Sequence, residues 1–377
     1  MNPAPHRQHV FLVPGFFGFV NLGELTYFGH VKRSLDAWAE AEGASLEVHR
    51  VRTPPTASLA RRAAVLFAAI DALPEDEGDV HIVGHSAGGL DARLLLTPGA
   101  TLPGIADPER VAARVRSLVC LTTPHRGTPL ADVFTSAFGQ QLLEVLSLAT
   151  IVVLRRGTLP ARMIRDLAGL VVARGRSGLA QIQRELLTDV EPPLREAVQA
   201  FASLVRDDRA LLPQLSPQAA EVFEAAAPDR AGVRYASVVA RARRPDWTGT
   251  LAQGWKPVHQ ASHVLYSGMW KLAGSDVDGR DDWGGSEQGA RDGRTAANDG
   301  MVPVWSQIRG LVLDEVMADH LDVLGHFNLP TASPAHHDWI RSGSGFTRAR
   351  YDLLWDRIAR FCLLGEAPEP TEERAPR

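Results

Sequence analysis

The chain has 377 residues, enough for one large α/β domain carrying an insertion or for two domains, and it can bury a sizeable core. Its 40 basic and 44 acidic residues give a net charge of -4, which excludes a basic field for nucleic acid or an anionic membrane and favours a neutral or apolar partner. Two cysteines, Cys120 and Cys362, read as buried free thiols, and no run of about 18 apolar residues offers a membrane span.

Residues 1–9 hold no apolar core of a secretory signal, so the expected setting is cytoplasmic, or outside the cell by another route or with a leader removed. His9-Val10-Phe11-Leu12-Val13-Pro14 is a short strand-type run leading into Gly15-Phe16-Phe17-Gly18-Phe19, a glycine-punctuated aromatic loop. Tyr27, Phe28, Val31, Leu35 and Trp38 recur at helical spacing up to Gly43, and residues 46–51 alternate as a strand. Leu59, Ala63, Leu66, Ile70 and Leu73 mark a second helix. The run Val80-His81-Ile82-Val83 then breaks at Gly84 and becomes helix-competent after Gly89. Its apex, Gly84-His85-Ser86-Ala87-Gly88, fits the G-x-S-x-G elbow, in which a strained strand-to-helix turn lifts a serine hydroxyl off a sheet. Leu118 to Thr123 is another buried strand. Strands alternating with helices in this way argue for a parallel, doubly wound sheet.

From 134 to 211 strand signals stop and apolar helical stretches take over, which reads as a helical insertion. Its most apolar segment is too short to cross a bilayer and suits an amphipathic lid over a site; a structural helix pair is the alternative. Residues 233–240 return to strand, 262–272 to helix, and 274–300 form a Gly- and Asp-rich loop. Residues 311–313 predict a last strand and 346–364 a closing amphipathic helix, and the tail from Glu366 is expected to be disordered.

A serine needs an imidazole base, and the imidazole needs a carboxylate to fix its tautomer and stabilise its charged form. After the insertion the histidines are His259, His263, His320, His326, His336 and His337, and Asn298-Asp299-Gly300-Met301-Val302-Pro303 places an acid in a tight turn. Spacing leaves the histidine open. The oxyanion needs two backbone N–H groups, one from Ala87 after the nucleophile and one from the loop after an early strand, where Phe16 stands.

Five stretches, Val13 to Phe19, Gly84 to Gly89, Thr123-Pro124-His125-Arg126-Gly127-Thr128, Asn298 to Pro303 and Asp319-His320-Leu321-Asp322, resemble in order the motifs of the bacterial triacylglycerol lipases of the pseudomonad type. The resemblance covers about 9–330, weakly over the insertion. It implies an α/β-hydrolase fold, a mostly parallel doubly wound sheet with a helical lid, divided as core 1–133, lid 134–211, core 212–365 and tail 366–377. It makes Ser86 the nucleophile, Asp299 the acid, His320 the base with His326 as runner-up, and Phe16 with Ala87 the oxyanion donors. The family's His-Gly before the oxyanion loop is Pro14-Gly15 here. The resemblance also implies a structural calcium held by Asp322 and by Asp276, with Asp278, Asp281 and Asp282 as alternatives to Asp276, and no organic cofactor. The reaction it implies is hydrolysis of apolar esters or lipids with medium or long acyl chains, with transient contact at a lipid interface. A short-chain carboxylesterase, an acyltransferase or a thioesterase would use the same residues, and a non-catalytic binding protein is a further alternative. His125 and Arg126 are expected to fix a loop, His85 to pack or line the acyl pocket, and His81 to be a satisfied core residue.

Overall fold

The computed structural model describes residues 7–16, 27–74, 78–136, 208–246, 257–275, 296–329, 331–333, 335–336 and 341–366, with single helical positions at 196, 199 and 203. Among the described residues six strands, β1 (Gln8–Val13), β2 (Leu46–Arg50), β3 (Asp79–His85), β4 (Val115–Leu121), β5 (Arg234–Arg241) and β6 (Leu311–Met317), form one sheet in the order β2-β1-β3-β4-β5-β6. Every neighbouring pair is parallel. The described helices are α1 (Gly29–Glu42), α2 (Leu59–Asp71), α3 (Ala87–Leu96), α4 (Glu109–Ala112), α5 (Pro129–Thr135), α6 (Leu211–Gln214), α7 (Pro217–Ala226), α8 (Pro257–Ala273), α9 (Val304–Gln307) and α10 (Arg348–Ala359).

Side-chain alternation splits each central strand between two cores. Val10, Leu12, Val83, Val119 and Leu121 pack with Val31 and Leu35 of α1, Leu265 and Met269 of α8, and Leu354 and Ile358 of α10. Phe11, Val13, Ile82, Leu118 and Cys120 pack on the other face with Leu66 and Ile70 of α2 and Leu95 of α3. A strand covered on both faces has no polar side, which is why these strands read as unbroken apolar runs.

The sheet's order places the site. From β1 the chain moves outward to β2, then crosses back to β3 on the opposite side and continues outward to β6. The direction reverses between β1 and β3, and ligand sites in open α/β sheets lie in the crevice at the strand carboxyl ends there. The aromatic loop follows β1 and the Ser86 turn follows β3.

Several elements differ in extent from the pattern expected of them. β6 runs on to Met317 because Asp314, which interrupts the apolar run, is paired with Arg350 and Arg357 at 3.3 and 2.9 Å. α8 begins at Pro257, ahead of its apolar spacing. α10 begins at Arg348 with Thr347 accepting the Arg350 amide as its cap, and a π-helical turn, Arg360–Leu364, completes it. The return to the sheet expected at 233–240 is β5, and two helices precede it, the second capped by Ser216 with Pro217 in its first turn. Most of the expected lid, the greater part of the Gly- and Asp-rich loop and the tail after Glu366 lie outside the described residues. No described helix is long and apolar enough to cross a membrane.

Candidate active site

β3 ends at His85 and α3 starts at Ala87, leaving Ser86 alone in the turn with φ 54° and ψ -129°. A non-glycine residue held at positive φ costs on the order of 1–3 kcal/mol, so the surroundings must impose it. The Ser86 amide donates to the Leu121 carbonyl of β4 at 2.8 Å, and the Ser86 carbonyl accepts from the Gly89 amide at 3.1 Å. Gly15 lies against the turn from above: a Cβ on it would stand 2.5 Å from the Ser86 Cβ and 3.1 Å from its Oγ. That contact brings the loop after β1, and Phe16 with it, to the serine. Ala87 is fully buried at the first position of α3, where helix amides have no partner within the helix.

Asp299 and His320 come from loops after β5 and β6 and meet directly. His320 Nδ1 lies 2.6 Å from Asp299 Oδ2, with both side chains buried. The other carboxylate oxygen, Oδ1, accepts the amides of Met301 at 2.9 Å and Val302 at 2.7 Å. These bonds aim the acid. The His320 amide donates to the Asp299 carbonyl at 3.0 Å, tying the two loops a second time.

The loop after β4 holds the acid's loop in place. Thr128 Oγ1 donates to the Met301 carbonyl at 2.6 Å, and Ser306 Oγ donates to the Gly127 carbonyl at 2.6 Å and accepts from the Arg126 amide at 3.1 Å. Thr123 lies so close under α3 that a Cβ on Gly89 would stand 2.1 Å from its Oγ1. Ser86 and His320 line one cavity, largely apolar, with Phe16, Tyr27, Leu130, Phe134, Leu212 and Met301.

No family model matches the sequence, and no curated relative matches it. Solved structures do. EstA from Clostridium botulinum is similar with a TM-score of 0.54 at 16% identity, over 93% of this chain and 89% of its own. Lipase 1 from Pelosinus fermentans has a TM-score of 0.54 at 17% identity, over 94% and 99%. Staphylococcus hyicus lipase has 0.52 at 16% identity, over 96% of both chains. The fold is that of the α/β-hydrolases.

Within this α/β-hydrolase fold, the sequence left two supporting networks unread. The Gly15 amide donates to Tyr27 Oη at 3.3 Å, the Tyr27 hydroxyl donates to His85 Nδ1 at 2.5 Å, and His85 Nε2 donates to the His320 carbonyl at 2.8 Å. A carbonyl can only accept, so Nε2 carries the proton and Nδ1 is the acceptor. Burial, reinforced by the neighbouring His320, holds His85 well below the usual histidine range and keeps it neutral. His85 therefore neither lines the cavity nor merely packs; it connects the loop after β1 to the backbone of His320. In the second network, Arg62 grips Asp91 through Nε and Nη2, the latter at 2.7 Å, and donates to the Pro14 carbonyl at 2.7 Å. Both side chains are fully buried.

His326 donates to the Tyr27 carbonyl at 3.3 Å, so of the two histidines considered as base it is His320 that meets Asp299. His125 is buried against Arg93, and His81 bonds Ser117 Oγ and Gln8 Oε1. Asp322 Oδ2 accepts from the Asp319 amide at 2.9 Å and the Ser344 hydroxyl at 2.7 Å. Those donors already satisfy that oxygen, and calcium takes about six to eight oxygens, so the described residues alone do not make a calcium site. Asp276 and its alternatives lie outside the described residues.

Proposed function

We propose that the protein is a serine carboxylic-ester hydrolase, a lipase of the pseudomonad-type pattern acting on esters with medium or long acyl chains. The observation that carries the reading is the 2.6 Å bond between Asp299 and His320, with His320 and Ser86 on one apolar cavity. Ser86 Oγ attacks the ester carbonyl carbon and its proton passes to His320. Phe16 and Ala87 donate their amides to the oxyanion, each contributing on the order of 100- to 1,000-fold in turnover. As the carbon–oxygen bond breaks, His320 protonates the departing alcohol. Water then attacks the acyl-enzyme, His320 takes its proton, and Ser86 leaves with that proton restored. Asp299 keeps the imidazole in the right tautomer throughout.

The test is hydrolysis of p-nitrophenyl esters of increasing chain length by the native protein and by Ser86→Ala of verified fold. Turnover falling at least about 10,000-fold in the variant, with a native optimum at long chains, supports the reading. A short-chain optimum makes the enzyme a carboxylesterase, and ester exchange to a competing alcohol that outruns hydrolysis makes it an acyltransferase. Equal activity in both proteins removes Ser86 from the mechanism. The helical stretch between 134 and 211 is proposed as a lid, which predicts faster turnover on emulsified than on dissolved substrate. A calcium shared by Asp276 and Asp322 completes the proposal. A melting temperature unmoved by EGTA removes it.

A further inference from the structure

At the opposite end of β1 from the loop that reaches Ser86, three side chains converge that the ester chemistry does not use. His9 on β1 stands directly opposite Glu47 on β2, and Phe11 opposite His49, so the period-two alternation of the parallel pair puts His9, Glu47 and His49 on one face. His9 Nδ1 is 3.0 Å from His49 Nε2. One oxygen of Glu47 lies 3.8 Å from the His9 nitrogen, and the other lies 3.8 Å from the His49 nitrogen. Among the described residues this is the one set of three such groups whose donor atoms all fall within 4.8 Å of one another.

We infer that His9, Glu47 and His49 form a binding site for a divalent transition-metal cation, of which zinc is the representative. Three features of the geometry carry this. Imidazole nitrogens bind zinc at about 2.0–2.1 Å, so two of them on one ion stand roughly 2.9 Å apart at a right angle and roughly 3.4 Å apart in a tetrahedron, and the observed 3.0 Å lies inside that interval. The Glu47 carboxylate is beyond hydrogen-bond reach of either ring, yet it straddles both nitrogens, as a third ligand placed across a shared ion would. The His49 ring is already oriented, stacked on Phe11 with centroids 4.5 Å apart and planes 14° apart. Two imidazoles and one carboxylate suit a borderline cation better than calcium or magnesium, which prefer all-oxygen shells.

Accessibility completes the case. The His9 side chain is fully buried, His49 is 22% exposed and Glu47 54% exposed, so an ion enters from the solvent side, and water takes the remaining position. Among the described residues β2 is the sheet's outermost strand on this side and pairs with β1 alone. A metal here is a clamp holding that edge strand to its neighbour.

The experiment is titration of the full chain, stripped of metal, with Zn²⁺ alone, followed by Co²⁺ to read the ligand field from its visible spectrum. Uptake of one equivalent at micromolar free zinc, with a melting temperature raised by at least about 2 °C at a hundredfold excess, is the expected result. His49→Ala and Glu47→Gln are the variants, and the exposed Glu47 makes the second safe for folding. Loss of an outer-shell partner alone costs about 10- to 100-fold in metal affinity, so each variant should weaken zinc by at least the lower figure. No uptake, or uptake as tight in Glu47→Gln and His49→Ala as in the native chain, overturns the assignment. Neither readout involves ester hydrolysis, so the result stands or falls apart from the proposed activity.

Discussion

Ser86 occupies its turn at a cost. Its φ of 54° belongs to a region that glycine visits freely and a residue with Cβ does not. Ser86→Gly should therefore raise stability by about 1 kcal/mol in urea unfolding while removing the hydroxyl. An unchanged or lowered midpoint would mean the turn is not strained. The pentapeptide made this serine legible, because a strained elbow needs small residues at fixed offsets. The choice between His320 and His326 was not legible from spacing, since both follow the last strand and only the ring that meets Asp299 distinguishes them. Tyr27 and His85 were harder still. They are 58 positions apart, and their bond exists only because the turn before α1 and the end of β3 are brought to the same crevice.

At the level of elements, α2 is tied to its neighbour α3 and to the loop after β1 through Arg62, whose guanidinium is buried between Asp91 of α3 and the carbonyls of Pro14 and Pro54. Removing one partner of a buried pair strands the other charge, which typically costs 3–5 kcal/mol. Arg62→Leu should lower the unfolding free energy by about that amount and, by freeing the Pro14 carbonyl, slow turnover on any ester the native protein hydrolyses. A loss below about 1 kcal/mol would show that the pair is replaceable. The strands themselves were readable because burial on both faces leaves no polar interruption. β6 was under-read because Asp314 resembles a terminator until its partners on α10 are known, and the start of α8 was missed because its first residues lack the apolar period.

Across the whole molecule, buried neutral histidines tie stability to pH. Burial lowers His81 and His336 to about 4 from an ordinary 6.5 and holds His85 and His125 well below it. Each folded value lies below the unfolded one, so the unfolded chain binds protons first. Stability from these groups is complete above about pH 6.5 and is lost as pH falls toward 4. His81 alone accounts for up to about 3 kcal/mol by the bottom of that range. The melting temperature should fall by several degrees between pH 7 and pH 5, and a flat profile there would contradict the neutral assignment. The doubly wound sheet was legible from the alternation of element types, whereas the strand order was not, because no local pattern says on which side of β1 the third strand will lie.

The contact between Gly15 and Ser86 has a meaning for the chain's capacity to change. Together with Gly89 over Thr123, it sorts the positions around the cavity into two kinds. Where backbone meets side chain with no room for a methyl group, variation is closed whatever the substrate. Leu130, Phe134 and Leu212 also line the cavity, and they are where a mutant library can trade one ester preference for another without moving the serine.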